Sequence, residues 1–251
     1  MIKFIYISDK GTVRENNEDC AKIFAKDNYF FALLSDGMGG HKYGDVASNI
    51  VINYLSSNFG RNFVYTSSIQ TKKFIEYSIA TAKKEMKKIA AKNKEMENMG
   101  TTLVGCIGIP EHRKIFIFNV GDSRCYFYLN TKKLIKVTID QNLASQWKEN
   151  GYDYHNNKNE KYARYLTSAI GPNIPTTIDI TEIKDNEYDL INKIMLTSDG
   201  IHEFVEHIDL EACLSKDDSI SNIANAILDQ AILNSSNDNM TIALLELDNE
   251  K

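Results

Sequence analysis

Proline is scarce, at three in 251 residues, and the thirteen glycines are spread thinly. Without a Pro/Gly/Ser-rich stretch or an internal repeat, no linker is legible, and one domain over residues 1–251 is expected. Long hydrophobic runs are missing too. None approaches the roughly 18 residues a membrane span needs. The apolar start, Met1-Ile2-Lys3-Phe4-Ile5-Tyr6-Ile7, lacks the basic head, length and cleavage site of a signal peptide, so it reads as a first strand. A cytoplasmic protein with no membrane partner is expected. The four cysteines, Cys20, Cys106, Cys125 and Cys213, form no CxxC pair and no zinc spacing with histidine. Reduced thiols in a cytosolic protein follow. Positive charge is in deficit, with 29 Lys and Arg against 34 Asp and Glu, a net charge of −5. That balance disfavours a nucleic-acid binder or a nuclease, as does the lack of a basic stretch interleaved with aromatics. It suits a protein that collects divalent cations.

What is present is an ordinary globular composition, 43% hydrophobic and 25% charged. Apolar runs rich in β-branched and aromatic residues predict buried strands at 29–34, 103–109, 115–120, 194–196 and 241–247. Helical periodicity marks Val46 to Leu55, Ser68 to Lys94 and Ser219 to Leu233. In the second, Ile75, Ile79, Ala82, Met86 and Ile89 form one apolar stripe, with lysines opposite. Strands and helices come in groups, which predicts an α+β layered fold. The polar, weakly periodic segment from Gln141 to Ala163, with a helical patch around Ala144 to Glu149, reads as a flap or a plain surface loop.

The informative pattern is aspartate directly after an apolar run. Leu33-Leu34-Ser35 leads into Asp36-Gly37, Phe118-Asn119-Val120 into Gly121-Asp122, and Met195-Leu196-Thr197-Ser198 into Asp199-Gly200, while Asp238 precedes the last strand. Asp-Gly is also a routine turn dipeptide. Four repeats of one grammar favour convergence, and converging carboxylates need cations to neutralise them. Hard divalent ions such as Mg²⁺ and Mn²⁺ take such oxygens. Gly37, lacking a Cβ, leaves room for its carbonyl to approach an ion and tolerates unusual dihedrals. Near the start, Arg14 offers a donor fork that suits a phosphate. Glu18 and Asp19 offer acceptors for waters around a metal.

Taken in order, these segments resemble the protein phosphatase 2C family, the metal-dependent PPM phosphatases, in its compact bacterial form. The carriers are Asp9-x-Gly11-x-x-Arg14-x-x-Asn17-Glu18-Asp19, Asp36-Gly37-Met38-Gly39-Gly40-His41-x-x-Gly44-x-x-Ala47-Ser48, Met99-Gly100-Thr101-Thr102-Leu103 and Asn119-Val120-Gly121-Asp122-Ser123-Arg124. Leu166-Thr167-x-Ala169-Ile170-Gly171, Thr197-Ser198-Asp199-Gly200 and Asp238-Asn239-x-Thr241 follow. The resemblance implies a four-layer αββα sandwich with two central, mainly antiparallel sheets and a flap over about residues 141–174. It implies two Mn²⁺ or Mg²⁺ ions, with Asp36 bridging them, the Gly37 carbonyl on one, and Asp199 and Asp238 on the other. Asp122 would join Asp199 at a weaker third ion, and Arg14 would grip the substrate phosphate.

The implied activity is hydrolysis of phosphoserine and phosphothreonine by a water between the metals, on phosphoprotein substrates and in opposition to a Ser/Thr kinase. A monomer is expected. The alternative, a pseudophosphatase that binds phosphoproteins without turnover, would be expected to have lost metal aspartates, and all four are present. The sequence also departs from relatives. Met38 stands where animal members have a proposed general-acid histidine, Ser168 where bacterial members carry Arg, and Gln141-Asn142 where His-Ser is frequent. His112, His155, His202 and His207 have no assigned role, and Trp147 is expected to pack the flap.

Overall fold

The computed structural model describes residues 2–26, 28–38, 43–152 and 160–247. The strands are β1 (Lys3–Asp9), β2 (Asp19–Lys26), β3 (Tyr29–Met38), β4 (Gly100–Thr101), β5 (Leu103–Ile109), β6 (Lys114–Val120), β7 (Arg124–Leu129), β8 (Leu134–Lys136), β9 (Asp179–Lys184), β10 (Ile191–Thr197) and β11 (Met240–Glu246). The helices are α1 (Gly44–Asn62), α2 (Ser68–Ala90), α3 (Leu143–Glu149), α4 (Asp185–Tyr188), α5 (Asp199–His202), α6 (His207–Leu214) and α7 (Ile220–Leu233). One antiparallel sheet runs β1-β11-β10-β7-β8, and the other β2-β3-β5-β6-β9, with β4 on the end of β3.

Three buried clusters show the layering. Phe31 and Leu33 of β3 face α1 and α2, where they meet Val51, Phe59, Ile75 and Met86. Their neighbours Ala32 and Leu34 point the other way, into the seam between the sheets, against Leu196 and Leu245. Beyond that seam, Met195 and Leu244 of the first sheet pack on Leu210, Ile223 and Ile227 of α6 and α7. Side chains alternate across a strand, so a strand buried on both faces must be apolar throughout. The result is the expected αββα order, and it explains why β3, β5, β6, β10 and β11 read as continuous apolar runs.

Several elements differ from expectation. β2, β7, β8 and β9 escape the search for apolar runs. β9 shows why: as DITEIK at the sheet edge it is only half buried, and its composition is polar. α1 is longer than Val46 to Leu55 and starts after Tyr43, which is left-handed at φ 98°. α2 begins as predicted, with Ser67 Oγ accepting the Gln70 N–H at 3.3 Å and so satisfying one of the free donors of the first turn. α3 falls where the helical patch of the flap is read, and Trp147 meets Tyr152 edge-on at 6.0 Å. Gly39, Gly40, His41 and His155 lie outside the described residues. All four cysteines are free thiols, and no described helix is long and apolar enough to cross a membrane.

Candidate metal centre

Asp36 lies inside β3, not after it as expected. The strand continues because Gly37 and Met38 find partners in Thr101 and Gly100 of β4. The Asp36 backbone is clamped on both sides: its N–H donates to Thr102 Oγ1 at 3.0 Å, and its carbonyl accepts from Thr101 Oγ1 at 2.8 Å. Across the β2–β3 pair, Asp19 sits directly opposite Asp36. Gly37 is required by close approach: a Cβ there would lie 2.3 Å from the Gly44 carbonyl oxygen and 2.5 Å from that of Glu18. Its φ is not in the left-handed region, so space rather than unusual dihedrals explains the residue.

Asp199 opens α5, with only Ser198 between it and the end of β10. Gly200, next to it, is met by the Asn239 carbonyl oxygen, which would be 2.0 Å from a Cβ. That contact brings the Asp199 turn against the loop carrying Asp238. Asn239 ties the same loop to the N-terminal segment: its Nδ2 donates to the carbonyls of Lys10 (2.8 Å) and Asn16 (2.9 Å), and its Oδ1 accepts the Glu18 N–H at 2.8 Å. Asp122 sits in the β6–β7 turn behind Gly121, whose φ of 100° suits glycine.

Arg14, Glu18, Asp36, Gly37, Asp122, Asp199 and Asp238 therefore line one cleft of about 740 Å³. Asp19 lies buried just beneath, accepting from Ser198 Oγ at 2.7 Å. The electrostatics are strained. Burial, then the charges of Asp19, Asp199, Asp122 and Asp238, push the Asp36 carboxyl well above its ordinary range. Burial followed by the Asp238 charge raises Asp199. Burial raises Asp122 to about 7, helped by Asp199 and Asp140, and burial raises Asp19 to about 7 against hydrogen bonds from Thr241 and Ser198. Glu18 is raised by burial and by Asp45.

Asp199 Oδ1 and Asp19 Oδ1 are buried with no hydrogen-bond partner. Unpartnered buried carboxylate oxygens are costly, and a divalent cation satisfies both the lone pairs and the charge. Among the described residues no three acidic, histidine or cysteine side chains are drawn into a closed metal-binding cluster. The fit rests instead on the orphaned oxygens and an all-oxygen lining.

Arg14 is not free in the cleft. Its Nη2 donates to Asp238 Oδ2 at 2.5 Å and its Nε to the Asn237 carbonyl at 3.2 Å. Sequence reasoning missed Arg164, which lines the cleft and pairs with Glu203 at 2.7 Å. It lies in the polar flap, where no apolar run or spacing marks it. The strand-then-aspartate grammar also fits Asp140, after Val137-Thr138-Ile139. There it points to a structural ion pair, since Arg124 (2.7 Å) and Lys136 (3.1 Å) hold that carboxylate. Met38 lines the cleft, and no described histidine does. His202 is buried against Thr197 Oγ1 at 2.8 Å, and burial lowers its pKa. His207 bonds the Leu134 carbonyl, and the His112 ring packs tilted against Tyr65.

The two departures near the flap have structural roles. Gln141 Oε1 accepts the Gly121 N–H at 2.9 Å while its Nε2 donates to Asp179 at 2.7 Å, so it ties the Asp122 turn to β9. Ser168 Oγ accepts the Thr177 N–H at 2.9 Å and closes the base of the flap.

A sequence profile described as Protein phosphatase 2C matches residues 12–230. The chain belongs to the protein phosphatase 2C family. It is 28% identical to the serine/threonine phosphatase stp of Listeria monocytogenes, over 96% of this chain and 94% of that one. It superposes on the crystal structure of serine/threonine phosphatase Stp1 from Staphylococcus aureus with a TM-score of 0.87 and 26% identity, covering 99% and 96% of the two chains. The catalytic domain of serine/threonine protein phosphatase PstP, in complex with two manganese ions, shares the fold at a TM-score of 0.78 and 21% identity, covering 98% and 97%. Membership makes this a metal-dependent protein phosphatase of the 2C type.

Proposed function

We propose that this 2C-family chain is one catalytic domain that hydrolyses phosphoserine and phosphothreonine in proteins, using two Mn²⁺ or Mg²⁺ ions. One observation carries the assignment of the site: Asp36, Asp122, Asp199 and Asp238 line one cleft, and a buried oxygen of Asp199 lacks any partner. Asp36 and the Gly37 carbonyl would hold one ion, and Asp36, Asp199 and Asp238 the other. Asp122 with Asp199 offers a third, weaker place. When bound, the ions supply a water of lowered pKa and screen the charge of the substrate phosphate.

The chain's own groups do the remaining work. Thr101 and Thr102 hold the Asp36 backbone so that its carboxyl need not reorganise. Asp19, fixed by Ser198, and Glu18, fixed through its backbone by Asn239, orient acceptors towards the waters of the site. Arg14 keeps Nη1 free of the two bonds it makes, and that donor meets a phosphate oxygen at the cleft. The acidic composition and the similarity to bacterial serine/threonine phosphatases support a cytoplasmic role opposing a Ser/Thr kinase in signalling.

The test is hydrolysis of a phosphothreonine peptide with Mn²⁺, with and without chelator, for the wild type and Asp199→Ala. Activity that requires Mn²⁺ and falls at least about a hundredfold in the variant is expected. Intact peptides with wild type and Mn²⁺ defeat the enzymatic reading, and full activity in Asp199→Ala defeats the site assignment.

A further inference from the structure

Beside the carboxylate cleft lies a second one of about 500 Å³, and Arg164 lines both. Its chemistry is the reverse of its neighbour's. Arg124, Lys136, Lys148, Lys161 and Arg164 line it, against only Asp140 and Glu203. Both carboxylates are already engaged: Asp140 is shared by Arg124 and Lys136, and Glu203 is paired with Arg164. Lys148, on α3, and Lys161 are left with no acidic partner among the described residues. Lys161 Nζ lies 4.8 Å from the centre of the Tyr162 ring, which orients the ammonium without neutralising it. A concave surface with uncompensated charge of one sign focuses its field and concentrates ions of the other sign. A positive hollow beside a phosphate-handling cleft, on a chain of net charge −5, is not what bulk composition supplies.

We infer that this cleft is an accessory anion subsite. It holds a second negatively charged group of the same phosphoprotein substrate, a carboxylate or another phosphate near the residue being dephosphorylated. The inference rests on the phosphatase reading above. Arg164 joins the two clefts, so a substrate chain that places its phosphate among the aspartates passes the flap and lays its acidic flank over α3. Lys148 and Lys161 then act on binding and leave the reacting atoms alone.

The experiment uses the full chain with Mn²⁺ and three sets of phosphothreonine peptides. One has neutral flanks, one has Glu placed at successive positions on either side, and one carries a second phosphothreonine. Each is measured with wild type and Lys148→Gln/Lys161→Gln. Both lysines are exposed, so the double variant keeps its fold. In wild type at low salt, kcat/KM for an acidic or doubly phosphorylated peptide is expected to exceed that of the neutral one about fivefold, through KM, as two exposed ion pairs allow. The double variant erases that preference and leaves the neutral peptide unchanged, and high salt erases it in wild type. A preference for the Glu set alone assigns the subsite to carboxylates, and for the double phosphothreonine alone to phosphate. Equal kcat/KM for all three sets in wild type, or equal slowing of all three in the variant, overturns the subsite. Failure to cleave any peptide sinks the phosphatase reading and the subsite with it.

Discussion

Arg14 and Asp238 are 2.5 Å apart, and this joins two roles that look separate in sequence. A guanidinium bonded to a carboxylate that would hold a metal competes with that metal for the same oxygens. Arg14→Ala therefore acts on both. We expect kcat/KM for a phosphopeptide to fall about tenfold or more, since a charged hydrogen bond to phosphate is lost. The apparent affinity for Mn²⁺ should shift as well, because Asp238 loses its partner. Kinetics combined with a metal titration check this. Unchanged KM and kcat remove Arg14 from the phosphate role. Arg14→Lys should not restore the wild type, since a point ammonium cannot span Asp238, Asn237 and a phosphate together.

At the scale of elements, the site is assembled by short connections between strands of the two sheets. β3 of one sheet delivers Asp36, and β10 and β11 of the other deliver Asp199 and Asp238. The join depends on Gly200, where any Cβ would meet the Asn239 carbonyl. Gly200→Ala should push the α5 turn away from that loop and lose at least about 1 kcal/mol of stability through overpacking. Activity should drop further than stability does, because Asp199 and Asp238 would separate. Denaturant unfolding alongside phosphopeptide turnover measures both, and a variant with wild-type turnover counts against the join. The apolar strands behind these residues are legible in sequence because they are buried on both faces. β9, half buried at an edge, is not, and its polar alternation gives no run to find.

For the whole molecule, folding gathers carboxylates that repel one another. Asp19, Asp36, Asp122 and Asp199 all have folded-state pKa values above their ordinary ones, chiefly through burial. A carboxyl with a raised folded pKa favours folding while it is protonated, and that advantage is lost as pH rises from the unfolded value towards the folded one. The window runs from 3.8 to about 7 for Asp19 and Asp122. In chelator, Tm should fall as pH rises through that range. Glu182 does not mask the effect. Burial works against its charge, but Lys114, Ser68 and Lys72 hold it down to about 2, so its contribution is complete above the ordinary value of 4.5 and is lost as pH falls from there towards 2. At pH 7, saturating Mn²⁺ should restore Tm, with stabilisation of about 2.7 kcal/mol at a hundredfold excess over Kd. Calorimetry with and without metal tests this, and a chelated Tm that rises between about pH 5 and 7, above the range where Glu182 responds, overturns the account.

The sequence by itself determined the layered α+β class, because burial on two faces demands apolar residues throughout a strand, and it carried the acidic residues proposed as metal ligands. It marked Asp36, Asp122, Asp199 and Asp238 by one local grammar. That grammar also fits Asp140, and only the tertiary structure separates them: Arg124 and Lys136 neutralise Asp140, while Asp199 is left with an unpartnered oxygen. The fold likewise decided that Asp36 sits within its strand, that Arg14 leans on Asp238, and that Arg164 stands between two clefts of opposite charge. Local pattern fixes which groups a chain carries. Whether a charge is paired, orphaned or shared depends on the neighbours that packing brings to it, close in sequence as Lys136 is to Asp140 or distant as Asp238 is from Arg14.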